Sequence, residues 1–153
     1  MIIETFPTLT VTVVVEYQGK FLLIKRSDEE TYFPSLWAFP GGKAELRENL
    51  TGTIRREVLE ETGLSITDEA AFLNTYFFED RIGVGFVVKA TSDQVVLSED
   101  SSDHIWISTR EELDQLECLP GLWKHFVRAQ EVMALGAMDS LDKMNLNTGF
   151  HAR

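Results

Sequence analysis

Residues 49–63 restrict the fold more than any other part of the sequence. This segment contains no proline, and Leu50, Ile54 and Val58 recur every four residues, which is the spacing of an amphipathic helix. Gly63 follows, and glycine is a common residue at the C-terminal end of a helix. The pattern therefore predicts a helix with one apolar side that packs against the rest of the protein.

Glutamates share the apolar side of this predicted helix. With Ile54 at the centre of the apolar stripe, Glu61 lies about 20° from the centre and Glu57 about 60° from it, at about 100° per residue. A buried carboxylate must be protonated, paired with a cation or bound to a metal. Because Glu60 stands three residues from Glu57, the carboxylates can converge on a hard cation such as Mg²⁺ or Mn²⁺. The alternative is a solvated face of charged i,i+4 pairs.

The helix lies inside a longer spaced pattern. It begins at Gly42, continues through five residues to Glu48 and through seven more to Arg56, and ends at Leu64 with the sequence Arg-Glu-Val-Leu-Glu-Glu-Thr-Gly-Leu. This pattern resembles the Nudix box, G-x5-E-x7-R-E-U-x-E-E-x-G-U with U an aliphatic residue. Every specified position is met, which favours the metal site over a solvated charged face.

The resemblance implies an α+β fold, an α/β/α sandwich with a mixed β-sheet flanked by helices and a catalytic loop-helix-loop. It implies metal-dependent hydrolysis of a diphosphate linkage in a nucleoside diphosphate joined to another group. The three box glutamates would bind the metal with one glycine backbone carbonyl, and the arginine and the first glutamate would support them. The residues concerned are Gly41, Gly42, Glu48, Arg56, Glu57, Glu60 and Glu61.

The general base is a separate question. Glu57 is one candidate, but some members of this family use a glutamate from a loop outside the box. Glu99 and Asp100 precede the predicted strand 104–107, and either acidic residue suits that role as a base or a metal ligand. The alternative for both is a polar loop before an edge strand.

Four further residues are candidates for contact with the substrate. Arg26 is a cation at a predicted strand end, Trp37 and Phe39 are aromatic, and Arg47 stands where many members of the family have glycine. The competing interpretation is a solvated cation or ordinary aromatic packing. The three histidines, His104, His125 and His151, lack partners at metal-ligand spacing, and we expect them to be structural or exposed.

The pattern of apolar and polar residues along the chain predicts five or six strands with one early and one late helix. The predicted strands cover residues 9–16, 21–24, 37–42, 72–78, 82–90 and 104–107, and the segment 37–42 ends in a sharp turn. The late helix is predicted over residues 122–135. Thr109 is predicted to cap a short helical turn. Elements in this order favour a mixed sheet with helices on its faces over a regularly alternating parallel fold.

Composition limits the possible partners. The 153 residues suit one domain, 1–153, with a weakly patterned C-terminal tail from about residue 136. The net charge of -11 argues against large nucleic acids and anionic membranes. Cys118 is the only cysteine, which excludes an intrachain disulfide. With neither a signal peptide nor a membrane span indicated, we expect a cytoplasmic protein that is a monomer or a homodimer.

Three functional hypotheses follow. The first is an enzyme that hydrolyses a nucleoside triphosphate to the monophosphate and pyrophosphate, with Mg²⁺ or Mn²⁺ as cofactor. The second is a pyrophosphatase that acts on a nucleoside diphosphate sugar such as ADP-ribose. The third is a binding module of the same fold that holds a nucleotide without turnover, which the intact box glutamates disfavour.

Overall fold

The computed structural model describes residues 7–145. The strands are β1 (Thr8–Tyr17), β2 (Lys20–Arg26), β3 (Trp37–Ala38), β4 (Gly41–Lys43), β5 (Ile66–Phe78), β6 (Arg81–Ala90), β7 (Ser101–Ile107) and β8 (Asp139–Ser140). The helices are α1 (Leu50–Thr62), α2 (Arg110–Asp114), α3 (Leu122–Leu135) and α4 (Leu141–Met144). The sheet has the strand order β3-β2-β1-β6-β5-β8, with β4 paired to β1 and β7 paired to β2.

The sheet is mixed and separates two hydrophobic cores. Strands β1 and β6 run parallel, whereas the other pairings are antiparallel. Because successive side chains of a strand point to opposite faces, Val13 packs in the core beneath α1 and Val14 packs in the core beneath α3. The prediction of a mixed sheet flanked by helices is therefore confirmed. None of the helices between residues 7 and 145 is long and apolar enough to cross a membrane.

Helix α1 has the ends that the sequence predicts. The Asn49 side-chain oxygen accepts a hydrogen bond from the Gly52 N–H at 2.8 Å and so caps the N-terminus. Gly63 adopts a left-handed conformation with φ of 71°, and its N–H donates to the Leu59 carbonyl. Ile54 and Val58 are fully buried, so this helix is fixed firmly against the sheet.

The strand prediction differs from the structure in its details. The segment 37–42 is not one strand with a sharp turn at its end, because Pro40 divides it into β3 and β4 and the two glycines lie in β4. The Pro40 carbonyl accepts from the Val13 N–H at 2.8 Å. Strand β5 begins at residue 66 instead of 72, since its first residues are partly polar and exposed and so lack the apolar pattern.

The C-terminal segment contributes to the core. Residues 139–144, within the predicted weakly patterned tail, form β8 and α4. Leu141 is fully buried in the core that contains Ile54 and Val58 of α1. The rest of the predicted tail, residues 146–153, lies outside the described residues.

We predict that Leu141→Ala lowers the free energy of unfolding by about 2–5 kcal/mol, because it removes a fully buried side chain and leaves a cavity beside α1. Urea denaturation measures this change. Leu135→Ala is the control, since Leu135 is 77% exposed, and we expect a change within about 0.5 kcal/mol. Equal effects of the two substitutions would contradict the packing described for α4.

Candidate active site

The backbone of Gly41 and Gly42 lies directly against the carboxylates of α1. A Cβ atom on Gly42 would overlap the Glu57 carboxylate, so any side chain at this position would force that carboxylate to move. The Gly41 N–H donates to Glu61 Oε2 at 3.2 Å. On its other side, a Cβ atom on Gly41 would lie 2.1 Å from the Val11 carbonyl oxygen. The β1 backbone thus requires glycine at position 41, and glycine at position 42 leaves room for the Glu57 carboxylate.

Glu57 and Glu61 form a closely coupled pair. The pKa of Glu61 is raised to about 8, chiefly by burial; the hydrogen bond from the Gly41 N–H opposes this rise, and the charge of Glu57 adds to it. Burial also raises the pKa of Glu57, whereas hydrogen bonding and charge attraction from Arg56 lower it. Each carboxyl group influences the pKa of the other, and the raised pKa of Glu61 favours a proton on that group. Without a cation, such a pair of carboxyl groups retains a proton; a bound cation can neutralise the pair instead.

Arg56 connects the glutamates of the box. Its guanidinium group binds Glu48 through two hydrogen bonds, Nε to Oε2 at 2.7 Å and Nη2 to Oε1 at 2.9 Å. Nη1 donates to Glu57 Oε1 at 2.9 Å, and Nη2 donates to the Lys43 carbonyl at 2.9 Å. The hydrogen bond from Arg56 lowers the pKa of Glu48 to about 2, and that to Glu48 raises the pKa of Arg56. Arg56 thus fixes the loop before α1 to the helix.

Glu60 stands apart from the carboxylate pair. Its side chain is 58% exposed and forms an ion pair with Arg56 Nη1 at 3.2 Å. In the part of the chain from residue 7 to 145, no group of three or more Asp, Glu, His or Cys side chains converges as a metal-binding cluster. The predicted three-glutamate ligand set therefore requires a rotation of Glu60 away from Arg56.

The donors at the site nevertheless suit a hard divalent cation. Glu57 and Glu61 supply carboxylate oxygens, the ligands that Mg²⁺ and Mn²⁺ prefer. The glycine backbone approaches them where any Cβ atom would fill the space beside Glu57. The role of the Gly41 or Gly42 carbonyl as a ligand stays a prediction.

The loop between β6 and β7 ends beside this pair. The Val96 N–H donates to the Thr62 carbonyl at 2.8 Å, and the Ser98 N–H donates to the Glu61 carbonyl at 3.3 Å. The charge of Asp100 contributes to the raised pKa of Glu61, so Asp100 lies near the pair. Glu99 and Asp100 are both exposed to solvent.

A cavity of about 500 Å³ adjoins Gly41 and Gly42. Its lining includes four cationic residues, and none of the described lining residues is acidic, although the whole chain has a net charge of -11. The four cations are Arg26, Lys43, Arg81 and Lys124. A cavity of this charge beside a carboxylate pair suits a ligand with several phosphates.

The structure places the four predicted substrate residues in different positions. Arg26 and Phe39 line the cavity, and Arg26 is held by the Tyr32 carbonyl at 3.0 Å and by Glu30. Trp37 packs instead against the core beneath α3. Arg47 lies on an exposed turn with φ of 67°, outside the cavity lining.

Sequence reasoning missed Asn74, Tyr76 and His125, which also line the cavity. His125 is partly buried, and its Nδ1 lies 2.8 Å from Asn74 Oδ1. Two signals were available. His125 is three residues after Leu122 on the buried side of α3, and Gly83 and Gly85 alternate along β6, which indicates a close approach on one face.

The raised pKa of Glu61 predicts a pH-dependent stability in the absence of divalent metal. Between its ordinary value of 4.5 and about 8, the folded protein holds a proton that the unfolded chain has released. The contribution of Glu61 to the free energy of unfolding therefore falls as the pH rises through this window. Urea denaturation in EDTA measures the effect, and Glu61→Gln removes it.

The control for this measurement is Glu117→Gln, which changes an exposed glutamate. The free energy of unfolding of this variant should depend on pH in the same way as that of the wild-type protein. If wild-type and Glu61→Gln proteins had parallel profiles between about pH 5 and pH 8, the assigned pKa would be wrong.

Several known proteins are similar to this chain in sequence or in structure. The chain is 28% identical over 120 residues to the nucleoside triphosphatase NudI of Enterobacter sp. (strain 638), which covers 68% of this chain and 83% of that protein. It is 37% identical over 82 residues to an ADP-ribose pyrophosphatase of Methanocaldococcus jannaschii, covering 54% of this chain and 47% of that protein. The crystal structure of a MutT protein from Methanosarcina mazei Go1 superposes with a TM-score of 0.66 and 26% identity, over 84% of this chain and 97% of that one.

The profile of the NUDIX domain matches residues 6–129, which is most of the chain. This match includes the complete box and all strands from β1 to β7. The predicted resemblance is confirmed, and the chain belongs to the NUDIX domain family, as a Nudix hydrolase.

Proposed function

We propose that the protein hydrolyses a nucleoside triphosphate to the monophosphate and pyrophosphate in a reaction that depends on Mg²⁺ or Mn²⁺. The observation that carries this proposal is the carboxylate pair Glu57–Glu61 beside a cavity with four cations and no described acidic lining residue. The relative from Enterobacter, named as a nucleoside triphosphatase, supports the same substrate class.

The proposed metal ligands are Glu57, Glu60 and Glu61, with the backbone carbonyl of Gly41 or Gly42. When bound, the ion neutralises phosphate oxygens and lowers the pKa of the attacking water. Glu60 reaches the pair by leaving Arg56, and this ion pair is more than half exposed on the Glu60 side, so its loss has a small energetic cost. Arg56 retains its contacts with Glu48 and Glu57 and acts as a positioning residue.

In the proposed reaction, the water oxygen forms a bond to a phosphorus atom of the anhydride. The P–O bond to pyrophosphate breaks, and pyrophosphate leaves with the electron pair. A carboxylate accepts the proton of the water. Among Glu57, Glu99 and Asp100 we assign this role to Asp100, because Asp100 lies near Glu61 and Glu57 is needed as a ligand.

The cations of the cavity bind the phosphates in this proposal. Arg26 is already oriented by the Tyr32 carbonyl, and Lys43 extends from the strand that carries the two glycines. Four cations suit the high charge of a triphosphate, since each pairs with anionic oxygens in a partly enclosed site. The protein itself is strongly acidic, so these local cations overcome a repulsive overall field.

A nucleoside diphosphate sugar is the second candidate substrate. The observation in its favour is the 37% identity to a protein named as an ADP-ribose pyrophosphatase, although the chain spans less than half of that relative. A non-catalytic binding module of the same fold is disfavoured by the intact box glutamates. We further propose a cytoplasmic protein, monomeric or homodimeric, that acts on free nucleotides and not on large nucleic acids.

Identification of products tests the main proposal. The purified protein is incubated with nucleoside triphosphates or ADP-ribose and either Mg²⁺ or Mn²⁺, and the products are identified by mass. We expect equal amounts of nucleoside monophosphate and pyrophosphate from a triphosphate. Two monophosphate esters from ADP-ribose, without triphosphate turnover, would favour the second substrate class instead.

Glu57→Gln should lower kcat by at least about 100-fold, because it removes a charged ligand from a site that stabilises developing charge. EDTA should abolish the wild-type reaction. Glu111→Gln, which changes an exposed residue of α2, is the control and should keep the wild-type rate. Turnover in EDTA or by Glu57→Gln at the wild-type rate would contradict the mechanism.

The neighbouring acids Glu99 and Asp100 provide a matched pair for the assignment of the base. Asp100→Asn should lower kcat by about 100-fold or more, since general-base catalysis contributes about 10²–10⁴-fold. Glu99→Gln should have a much smaller effect. The pH dependence of kcat, measured for both variants, distinguishes a lost base from a displaced loop. The reverse ranking would assign the role to Glu99.

A further inference from the structure

The floor of the cavity is built over two glycines of β6. Gly83 pairs with Tyr76 of β5, and Gly85 pairs with Asn74 of the same strand. A Cβ atom on Gly83 would lie 1.9 Å from the Tyr76 ring, and one on Gly85 would lie 2.5 Å from Asn74 Oδ1 and 3.1 Å from His125 Nδ1. Neighbouring side chains thus occupy the space that side chains of β6 would fill. Together Asn74, Tyr76 and His125 form what we call the polar platform.

Hydrogen bonds hold the polar platform in one orientation. The Tyr76 hydroxyl lies 2.7 Å from Thr12 Oγ1 and 3.3 Å from Thr10 Oγ1, so Tyr76 spans β6 and reaches β1. The His125 and Tyr76 rings pack edge to face with centroids 5.3 Å apart. The polar platform is therefore preorganised, which reduces the entropy lost when a ligand binds.

The polar platform offers one acceptor and one donor to a ligand. The Asn74 side-chain oxygen can only accept, so His125 Nδ1 carries the proton of the bond between them. Burial lowers the pKa of His125 and keeps the ring neutral, which leaves Nε2 as an acceptor. Among the hydrogen bonds formed within residues 7–145, none involves His125 Nε2 or the Asn74 amide nitrogen, and both residues line the cavity.

Aromatic residues lie at the same cavity. Phe33, from the loop after β2, packs against Phe78 at the end of β5, with ring centroids 5.6 Å apart. Both residues line the cavity together with Tyr76. Flat faces combined with a few fixed polar groups are what a planar heterocycle requires of its site.

We propose that the polar platform binds the nucleobase of the substrate, and that Asn74 and His125 determine which base is preferred. This inference rests on the proposed function, because the carboxylate pair beside Gly41 and Gly42 would hold the phosphate end of the same molecule. A base whose donor and acceptor groups match the Asn74 amide and His125 Nε2 is retained. A base that leaves either group unpaired is disfavoured.

The test compares KM and kcat for the common nucleoside triphosphates and an 8-oxopurine nucleoside triphosphate. His125→Asn and Asn74→Ala should each raise KM for the preferred nucleotide about tenfold, as expected for the loss of one buried hydrogen bond, and should leave kcat within about twofold. The differences in kcat/KM between bases should shrink. His104→Asn is the matched control, since His104 lies on β7 outside the cavity lining, and should change neither parameter.

Gly85→Ala provides an independent variant. The added methyl group displaces the Asn74–His125 pair without removing either residue, so it should produce the same loss of base preference. A thermal melt establishes that each variant is folded, and at least one of the three substitutions should preserve the fold. Unchanged KM values and base preference in folded variants, or a wild-type protein that does not distinguish bases, would overturn the proposal.

Binding measurements separate this inference from the proposed hydrolysis. Calorimetry with nucleoside monophosphates in EDTA needs neither metal nor turnover. If the wild-type protein hydrolyses nothing but binds a monophosphate, and His125→Asn weakens that binding about tenfold, the inference stands and the proposed hydrolysis fails. If the protein hydrolyses triphosphates while His125→Asn leaves both binding and KM unchanged, the inference fails and the proposed hydrolysis stands.

Discussion

The contact between the glycine backbone of β4 and the carboxylates of α1 is the constraint on which the site depends. Gly42 leaves no room for a Cβ atom beside Glu57, and Gly41 donates its N–H to Glu61. Two carboxylates are thereby kept side by side in a partly desolvated position. Their charge repulsion and their burial both favour the binding of a proton or a cation. The fold maintains this arrangement because Ile54 and Val58 anchor α1 and the Pro40 carbonyl anchors the strand before it.

In the proposed function, the sheet separates the catalytic residues from the residues that recognise the substrate. Helix α1 packs on one face, and the cavity with its polar platform lies on the other face, next to α3. The two regions meet at Gly41 and Gly42, which belong to the site and also line the cavity. This arrangement allows the residues over Gly83 and Gly85 to change without disturbing the carboxylate pair.

The sequence predicted helix α1 well because the local signals there agree. Asn49, Gly63 and the four-residue apolar repeat specify one helix, and the position of Glu61 near the apolar stripe indicated an unusual carboxylate. The cavity was not predictable in the same way. Tyr76 and His125 are 49 residues apart in the sequence, and only the pairing of β5 with β6 and the packing of α3 bring them together.

Proton release on metal binding tests whether the Glu57–Glu61 pair exchanges the proton held by Glu61 for a divalent cation. Calorimetric titration with Mn²⁺ near pH 7, in buffers of different ionisation enthalpy, measures both affinity and the number of protons released. We expect Mn²⁺ to bind with the release of about one proton, and we expect this release to be lost in Glu61→Gln protein. Mn²⁺ binding without proton release, or with equal affinity in Glu57→Gln/Glu61→Gln protein, would contradict this exchange.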